Sequence, residues 1–522
     1  MEMMHKLYAR YNETKQYKDR WLALYKDLYF YVIPDRDAFN VKFNYVDVGK
    51  PVSNQIWDNT AMLAAYQRAN DLHALLLPKD RVWGKMVLDA HLFDEAAIKQ
   101  AQPLVDEVND RILFYLNQSN LARIISSSNL DLVGGTAAVW VESIDDNTPL
   151  YFRSIPAVAL YIEYSTDDVL NTCWYQCKMT GRQILEAFPK YRGTGRMALV
   201  DKPDELQTVI YGQIKESEEK FHIYAVLEID PFTMLWEAER NYPQIIIYRD
   251  RVRPGESDGR GIGLDMLPTI RDLNRVVEYT RKNLAFTANP PMFYDNDKFF
   301  NPYSVRQWAG AMIARRPGGG NPLQALEMPK SPEVMEHIKL LQETIKLGFQ
   351  VDPLGEINTP VRSATEVSIR ENRAQRTSAT DISRLINELP RQIFEVAGKI
   401  LAERRLLTKK GDANKFNAKK MRFDFQSPLF DLQKQDDLNH FITFAQTLQQ
   451  FYGEGALNAV LEEVDVKDFL QDKLNLPAKI FRSDAKIAQI MAAVQQQAAQ
   501  ASLPKPTTAA GAVNFPQQSG AQ

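Results

Sequence analysis

Residues 264–288 carry one helical pattern with two distinct faces, and this constrains the chain more than any other stretch. Leu264, Leu267, Ile270, Leu273 and the Val276/Val277 pair fall on an apolar side. Arg271, Arg275, Glu278 and Lys282, at steps of four, three and four, form a charged stripe on another. Asn289-Pro290-Pro291 ends the pattern, because proline cannot continue a helix. A second amphipathic helix, 333–349, puts Val334, Ile338, Leu341, Ile345 and Phe349 on one face. Between the two lies an irregular stretch rich in Gly, Pro and aromatics, with Pro317-Gly318-Gly319-Gly320 inside it. A lone hairpin of this kind leaves apolar surface in water. Either it packs on a sheet of its own chain, or neighbouring copies cover it in a ring whose polar faces line a passage.

The remaining pattern is mixed. Trp21, Leu24, Tyr25, Leu28 and Tyr29 mark an N-terminal helix that ends before Pro34. Ser53 is placed to cap a second helix, which Pro78 stops. Further helices are predicted near 95–117 and 121–133, the latter ending in Gly134-Gly135. The period then changes to strands at 137–142, 150–153, 158–163, 171–179, 207–214, 221–229 and 244–249, with a short helix at 181–188. Ser363 and Glu366 form a capping box for a long helix that meets Pro390 and resumes to about Leu407. A strand at 421–425 precedes a helical region, 429–500, and a Pro/Thr/Ala/Gly/Gln tail expected to be disordered.

Composition excludes several function classes. Lys plus Arg is 63 and Asp plus Glu is 66, so the formal charge is −3. A protein gripping phosphates through a general basic surface should be clearly positive. Cys173 and Cys177 are the two cysteines, too few for a disulfide framework. No apolar signal-peptide core occupies Met1 to Tyr11, and no stretch approaches ~18 apolar residues, so no membrane span is expected. The expected setting is a cytoplasm, or a particle assembled there.

Catalytic signatures are missing. No Gly-x4-Gly-Lys-Ser/Thr loop occurs. The glycine cluster Gly255 to Gly263 holds Glu256 and Asp258, with Asp265 just beyond, and these would repel an anion, so a turn is the plainer reading. None of the six histidines has a His or Cys at ligand spacing. No cofactor and no enzymatic activity are expected.

Several segments resemble the head-to-tail connecting (portal) proteins of short-tailed bacteriophages. They are Asp58-Asn59-Thr60-Ala61 with Leu75-Leu76-Leu77-Pro78 and Trp83, the run Asn129 to Ala137, Phe152 to Pro156, and Met179 to Ile184. The most specific runs from Gly259 through Gly261, Gly263 and Pro268 to Asn274. Asn289 to Met292, and Ser363 to Val367 with Arg370 and Glu371, complete the set, which covers about residues 50–430.

The resemblance implies an α+β, mainly α, portal fold. Residues 1–50 would be an N-terminal helix and arm, 51–263 a sheet-rich wing, and 264–289 and 333–349 a two-helix stem. Residues 290–332 would be a clip, 350–362 a channel loop, 363–428 a long wing helix with its return strand, 429–500 a helical crown and 501–522 a tail. It implies a homo-oligomeric ring, typically of twelve copies, at one capsid vertex, passing double-stranded DNA at packaging and ejection. Partners would be the terminase large subunit, then tail adaptor and tail tube proteins, with the major capsid and scaffolding proteins around it. Virion location, after assembly in the host cytoplasm, follows. Channel-lining candidates are Arg271, Arg275, Glu278 and Lys282 on the stem and Asp352, Glu356, Asn358 and Arg362 in the loop. Arg315 and Arg316 are candidates for clip contacts. The competing readings are an internal core or ejection protein of a virion and a metal-dependent nucleic-acid enzyme.

Overall fold

The computed structural model describes residues 2–36, 56–79, 81–89, 91–163, 172–193, 196–217, 220–228, 233–295, 308–315, 323–325, 332–351, 383–407, 421–426, 438, 440–447 and 450. The chain divides into two units, Met1–Ser427 and Pro428–Gln522. In the second unit residues 440–447 are helical.

The first unit opens with α1 (Glu2–Tyr31), α2 (Thr60–Leu76), β1 (Gly84–Leu88), α3 (Glu95–Gln118) and α4 (Leu121–Leu132). Strands β2 (Thr136–Glu142), β3 (Tyr151–Ile155), β4 (Leu160–Ile162) and β5 (Thr172–Thr180) follow. Short helices α5 (Gly181–Ala187) and α6 (Arg196–Asp201) lead to β6 (Leu206–Ser217), β7 (Lys220–Leu227), β8 (Thr233–Arg240) and β9 (Ile245–Arg249). Then come α7 (Ile262–Ala288), β10 (Met292–Asp295), β11 (Met312–Arg315), β12 (Leu323–Ala325) and α8 (Pro332–Gly348). Residues 383–388 are helical, and α9 (Pro390–Glu403) and β13 (Met421–Phe425) close the unit.

Strands β4 to β8 form a five-stranded sheet in sequence order, with every neighbouring pair antiparallel. Both of its faces carry packed side chains, so its strands do not show a clean alternation. On one face Trp174, Ile210, Tyr224 and Val226 pack against Leu7 and Tyr11 of α1. The Tyr11 and Tyr161 rings meet edge to face at 5.5 Å, and the Trp174 indole donates to the Tyr224 hydroxyl at 2.8 Å. On the other face Leu160, Ile162 and Cys173 pack against Ala138, Trp140, Ile245 and Ile247. Those last four belong to a second antiparallel sheet of order β3-β2-β9. Further along the same face Val209, Ala225 and Leu227 pack against Ile184, Phe188 and Leu199 of α5, α6 and the turn between them.

Helix α1 crosses from one core to another. Its first turns lie on the five-stranded sheet, while Tyr25, Leu28 and Tyr29, with Val32 just beyond its end, enter a cluster with α2, α7 and α8. It carries this out with few intrinsic advantages, since an isolated polar helix is marginal in water and its stability comes from these two burials.

Helices predicted near 95–117, 121–133, 264–288 and 333–349 are observed within two residues of their expected ends. The second helix starts at Thr60, whose amide donates to the Asp58 carboxylate at 2.8 Å; Ser53 lies outside the described residues. Pro390 begins a new helix rather than bending one, a position where its missing amide is harmless. The stretch expected to be irregular between α7 and α8 holds a three-stranded sheet, with β10 central, β11 parallel to it and β12 antiparallel. Strands β1 and β8 and helix α6 were also not foreseen. Cys173 and Cys177 sit in one strand as expected, unbonded, with burial pushing both thiols up to about 12.

At the end of β9, Glu388 fastens the helical turn before α9 to the sheet. Its carboxylate accepts from the Arg249 amide at 2.7 Å and from the Arg249 guanidinium at 3.0 Å. Burial raises the Glu388 carboxyl above 4.5, with Arg249 opposing the shift. The folded chain therefore holds this proton more tightly than the unfolded chain. That contribution to stability is fully present below pH 4.5 and is lost as the pH rises through the raised value. Glu388→Gln should remove the slope, so the urea midpoint of the variant should change less with pH above 4.5 than that of the parent. An unchanged slope would assign it to another group.

Candidate functional site

The most specific stretch of sequence, Gly259 to Gly263, is a packed turn that seats the start of α7. Arg260 donates its amide to the Arg251 carbonyl at 2.6 Å, Gly259 donates to the Thr136 hydroxyl at 2.8 Å, and Gly263 donates to the Val133 carbonyl at 2.9 Å. These amides already have acceptors and are not free to cradle a phosphate. Gly135, at φ +111, lies against the Gly259 backbone, and Gly261 lies against the backbone of Val133 and Gly135. A Cβ at Gly135 or Gly261 would overlap main-chain atoms of the opposing segment.

Two buried ionic clusters hold α1 to this joint. Lys18 pairs with Asp258 at 2.5 Å, both side chains 1% exposed, and the Lys18 ammonium stands 4.7 Å above the centre of the Tyr25 ring. Thr136 donates to the same Asp258 oxygen at 3.3 Å. Three positions before the Gly134-Gly135 pair, Asp131 accepts from the Tyr29 hydroxyl at 2.5 Å and from Arg36 Nε at 2.7 Å. Arg36 also donates to Ser127 at 2.7 Å and to Ser154. Asn129 accepts from the Tyr248 hydroxyl at 3.0 Å and donates to the Ala69 carbonyl at 3.2 Å. The run Asn129 to Thr136 is thus the place where α1, α2, β9 and the base of α7 meet. Sequence reasoning marked this run by resemblance but missed the ion pairs, because each partner lies about a hundred positions or more away.

From this base α7 and α8 leave as an antiparallel pair. Met266 lies against Gly348 at one end, and Asp272 faces His337 at 4.0 Å further along. Ile270, Leu273, Ile338, Ile345 and Phe349 are buried together, with Met266, Val277, Val334 and Leu341 beside them. Asn274 accepts the Trp57 amide at 3.0 Å and Gln342 donates to Asp58 at 2.7 Å, so residues 57–58 bridge the two helices.

The stem candidates lie on the exposed side of α7. Arg271 pairs with Asp27 of α1, and Lys282 pairs with Glu278 at 2.6 Å one turn away. Arg275 is exposed and has no ion-pair partner among the described residues. Arg315 lies in β11, its side chain outside the described residues. Arg316, Asp352, Glu356, Asn358 and Arg362 lie outside the described residues altogether. Among the described residues no group of three or more His, Cys, Asp or Glu comes together to hold a metal ion. No described helix is long and apolar enough to cross a membrane.

The model of the bacteriophage head to tail connecting protein family matches residues 4–481. The chain belongs to that family. Three solved chains from gene transfer agent particles are similar to this connector. One, from the virion of the native particle, is 13% identical with a TM-score of 0.33, over 81% of the connector and 92% of that chain. One from the neck of the empty particle, computed with C6 symmetry, is 12% identical with a TM-score of 0.34, over 84% and 95%. One from the neck of the native particle, computed with C12 symmetry, is 12% identical with a TM-score of 0.31, over 77% and 90%. Likenesses this loose place no domain and no neighbour in the connector. Curated proteins give no match. The family is a structural one, and a connector is a component of the virion.

Proposed function

We propose that the connector works as one subunit of a closed ring, twelve copies around, that passes double-stranded DNA at one capsid vertex during packaging and ejection. One observation carries this reading. The two-helix hairpin exposes large apolar side chains along its outer surface: Tyr279 at 56%, Leu284 at 70%, Met335 at 55%, Leu340 at 59% and Leu347 at 69%. Large apolar side chains exposed along one element suit an interaction site, and a ring would cover them with identical neighbours. On this reading α7 and α8 are the stem, the small sheet β10 to β12 belongs to the clip, and residues 350–362 form a loop toward the DNA. The clip, with Arg315 and Arg316, would dock the terminase large subunit and later tail proteins. The wing would comprise 51–263 and, over 363–428, the long helix with its return strand, and a crown would follow at 429–500. The four stem charges, Arg271, Arg275, Glu278 and Lys282, face either the passage or a neighbouring copy. A near-neutral lining suits sliding DNA, because each neutralised phosphate adds salt-dependent affinity. The connector carries out no chemistry of its own on this reading.

Purified connector should form closed rings by electron microscopy and by mass in solution. A persistent monomer sinks the proposal. Deleting residues 352–358 should leave rings intact while reducing packaged or retained DNA. Loss of the rings themselves would contradict the loop assignment.

A further inference from the structure

The stem hairpin has two chemically opposite edges. Helical residues advance by ~100° each, which fixes the edge each side chain occupies. On α7, Met266, Leu273 and Val277 share the side that packs toward α8. Arg271 and Arg275 fall about half a turn from that side and are exposed. On α8, Val334, Ile338, Leu341 and Ile345 share the side that packs toward α7. Glu336, Leu340, Glu343 and Leu347 again fall about half a turn away and are exposed. Each set points away from the partner helix, so the two sets stand on opposite edges of the same hairpin. At the height of Arg271 and Arg275 one edge is basic, with Glu278 held by Lys282 a turn further on; the other is acidic and apolar.

The heights match as well. Met266 against Gly348 and Asp272 facing His337 set the antiparallel register. That register puts Arg275 level with Glu336 and Arg271 level with Glu343, to within two or three residues. At ~1.5 Å rise per residue the offset is a few ångströms, inside the reach of an arginine and a glutamate. Arg275, Glu336 and Glu343 have no ion-pair partner among the described residues of their own subunit. Leu340 and Leu347, at 59% and 69% exposure, lie between and beside the two acids. Two different, complementary edges on opposite sides of one element are what a head-to-tail contact requires, and repeated rotation closes such contacts into a ring.

We infer that the Glu336/Glu343 edge of one copy, with Leu340 and Leu347, seats against the Arg271/Arg275 edge of the next. The occupant of the exposed α8 edge is therefore a second copy of this chain, and Arg275 faces that copy rather than the passage. Arg271 keeps Asp27 on its other side and lengthens the charge row. This rests on the ring reading and specifies its contact surface.

Charge reversal tests it. Arg275→Glu and Glu336→Arg should each lose the ring peak in sedimentation at low salt while keeping the circular dichroism of the parent. Arg275→Glu combined with Glu336→Arg should recover rings. Glu343→Arg should behave like Glu336→Arg. If the single variants assemble as the parent does, or the double variant stays as disrupted as the singles, the pairing is wrong although the ring reading stands. If the parent itself never forms rings, both fall together. Arg275→Glu that assembles normally but alters DNA passage would return Arg275 to the channel lining and overturn the inference.

Discussion

Gly135→Ala should yield little soluble connector, Gly261→Ala a deeply destabilised one, and Gly255→Ala a nearly normal one. The three separate two physical causes. Gly255, at φ +84, has open space where a Cβ would go, so alanine there meets only backbone strain. Gly261 has an ordinary φ of −93, yet its Cβ would overlap the Val133 carbonyl. Gly135 combines φ +111 with overlap on the Gly259 backbone. Left-handed strain costs ~1–3 kcal/mol. Forcing two packed backbones apart costs about as much again or more, because main-chain atoms cannot rotate out of the way. The order of melting temperatures should run parent, Gly255→Ala, Gly261→Ala, Gly135→Ala. A Gly261→Ala protein melting with the parent would show that the turn can yield, and the packing account would fail.

Lys18→Met should be the most damaging substitution in α1. It leaves Asp258 charged and 1% exposed with its counterion gone. Breaking a buried pair by removing one partner costs ~3–5 kcal/mol, whereas removing both charges is often nearly neutral. Lys18→Met combined with Asp258→Asn should therefore recover much of the loss in urea unfolding. If the double variant is no better than the single one, the damage comes from lost packing of the lysine stem rather than from the orphaned carboxylate. The same comparison reads out the joint, since Asp258 sits beside the turn that starts α7.

Local signals carried the helices and most strands of this connector. The faces of α7 and α8 are visible because amphipathic periodicity is written in consecutive residues. Strand β1 was invisible because Gly-Lys-Met-Val-Leu starts on a glycine and carries no aromatic or clear alternation, and its partner β13 lies far along the chain, with Gly84 opposite Phe425. Among the described residues strand β8 pairs with one neighbour, and its edge position admits Glu237 and Glu239 shortly after Leu235. Glycines 255–263 were legible as a turn, but its tight seat on Gly134-Gly135 needed the fold. The ionic clusters at Asp131 and Asp258 were not legible, since nothing local pairs Tyr29 with Asp131 or Lys18 with Asp258. The charged stripe of α7 was legible as a stripe. Its relation to the acids of α8 appeared only once the register of the hairpin was known.

The long reach of α1 also sets a timetable for biosynthesis. Lys18 waits for a counterion 240 positions further on, and Arg271 meets Asp27 across 244. Until that much chain has been made, Trp21, Tyr25 and Leu28 have no complete core to enter, and α1 by itself is a marginal helix. Contacts so distant in sequence slow folding, and unburied aromatic surface invites association in the interval. Nascent connector chains should therefore depend on chaperones before residue 258 emerges and lose that dependence once the α7 joint can close.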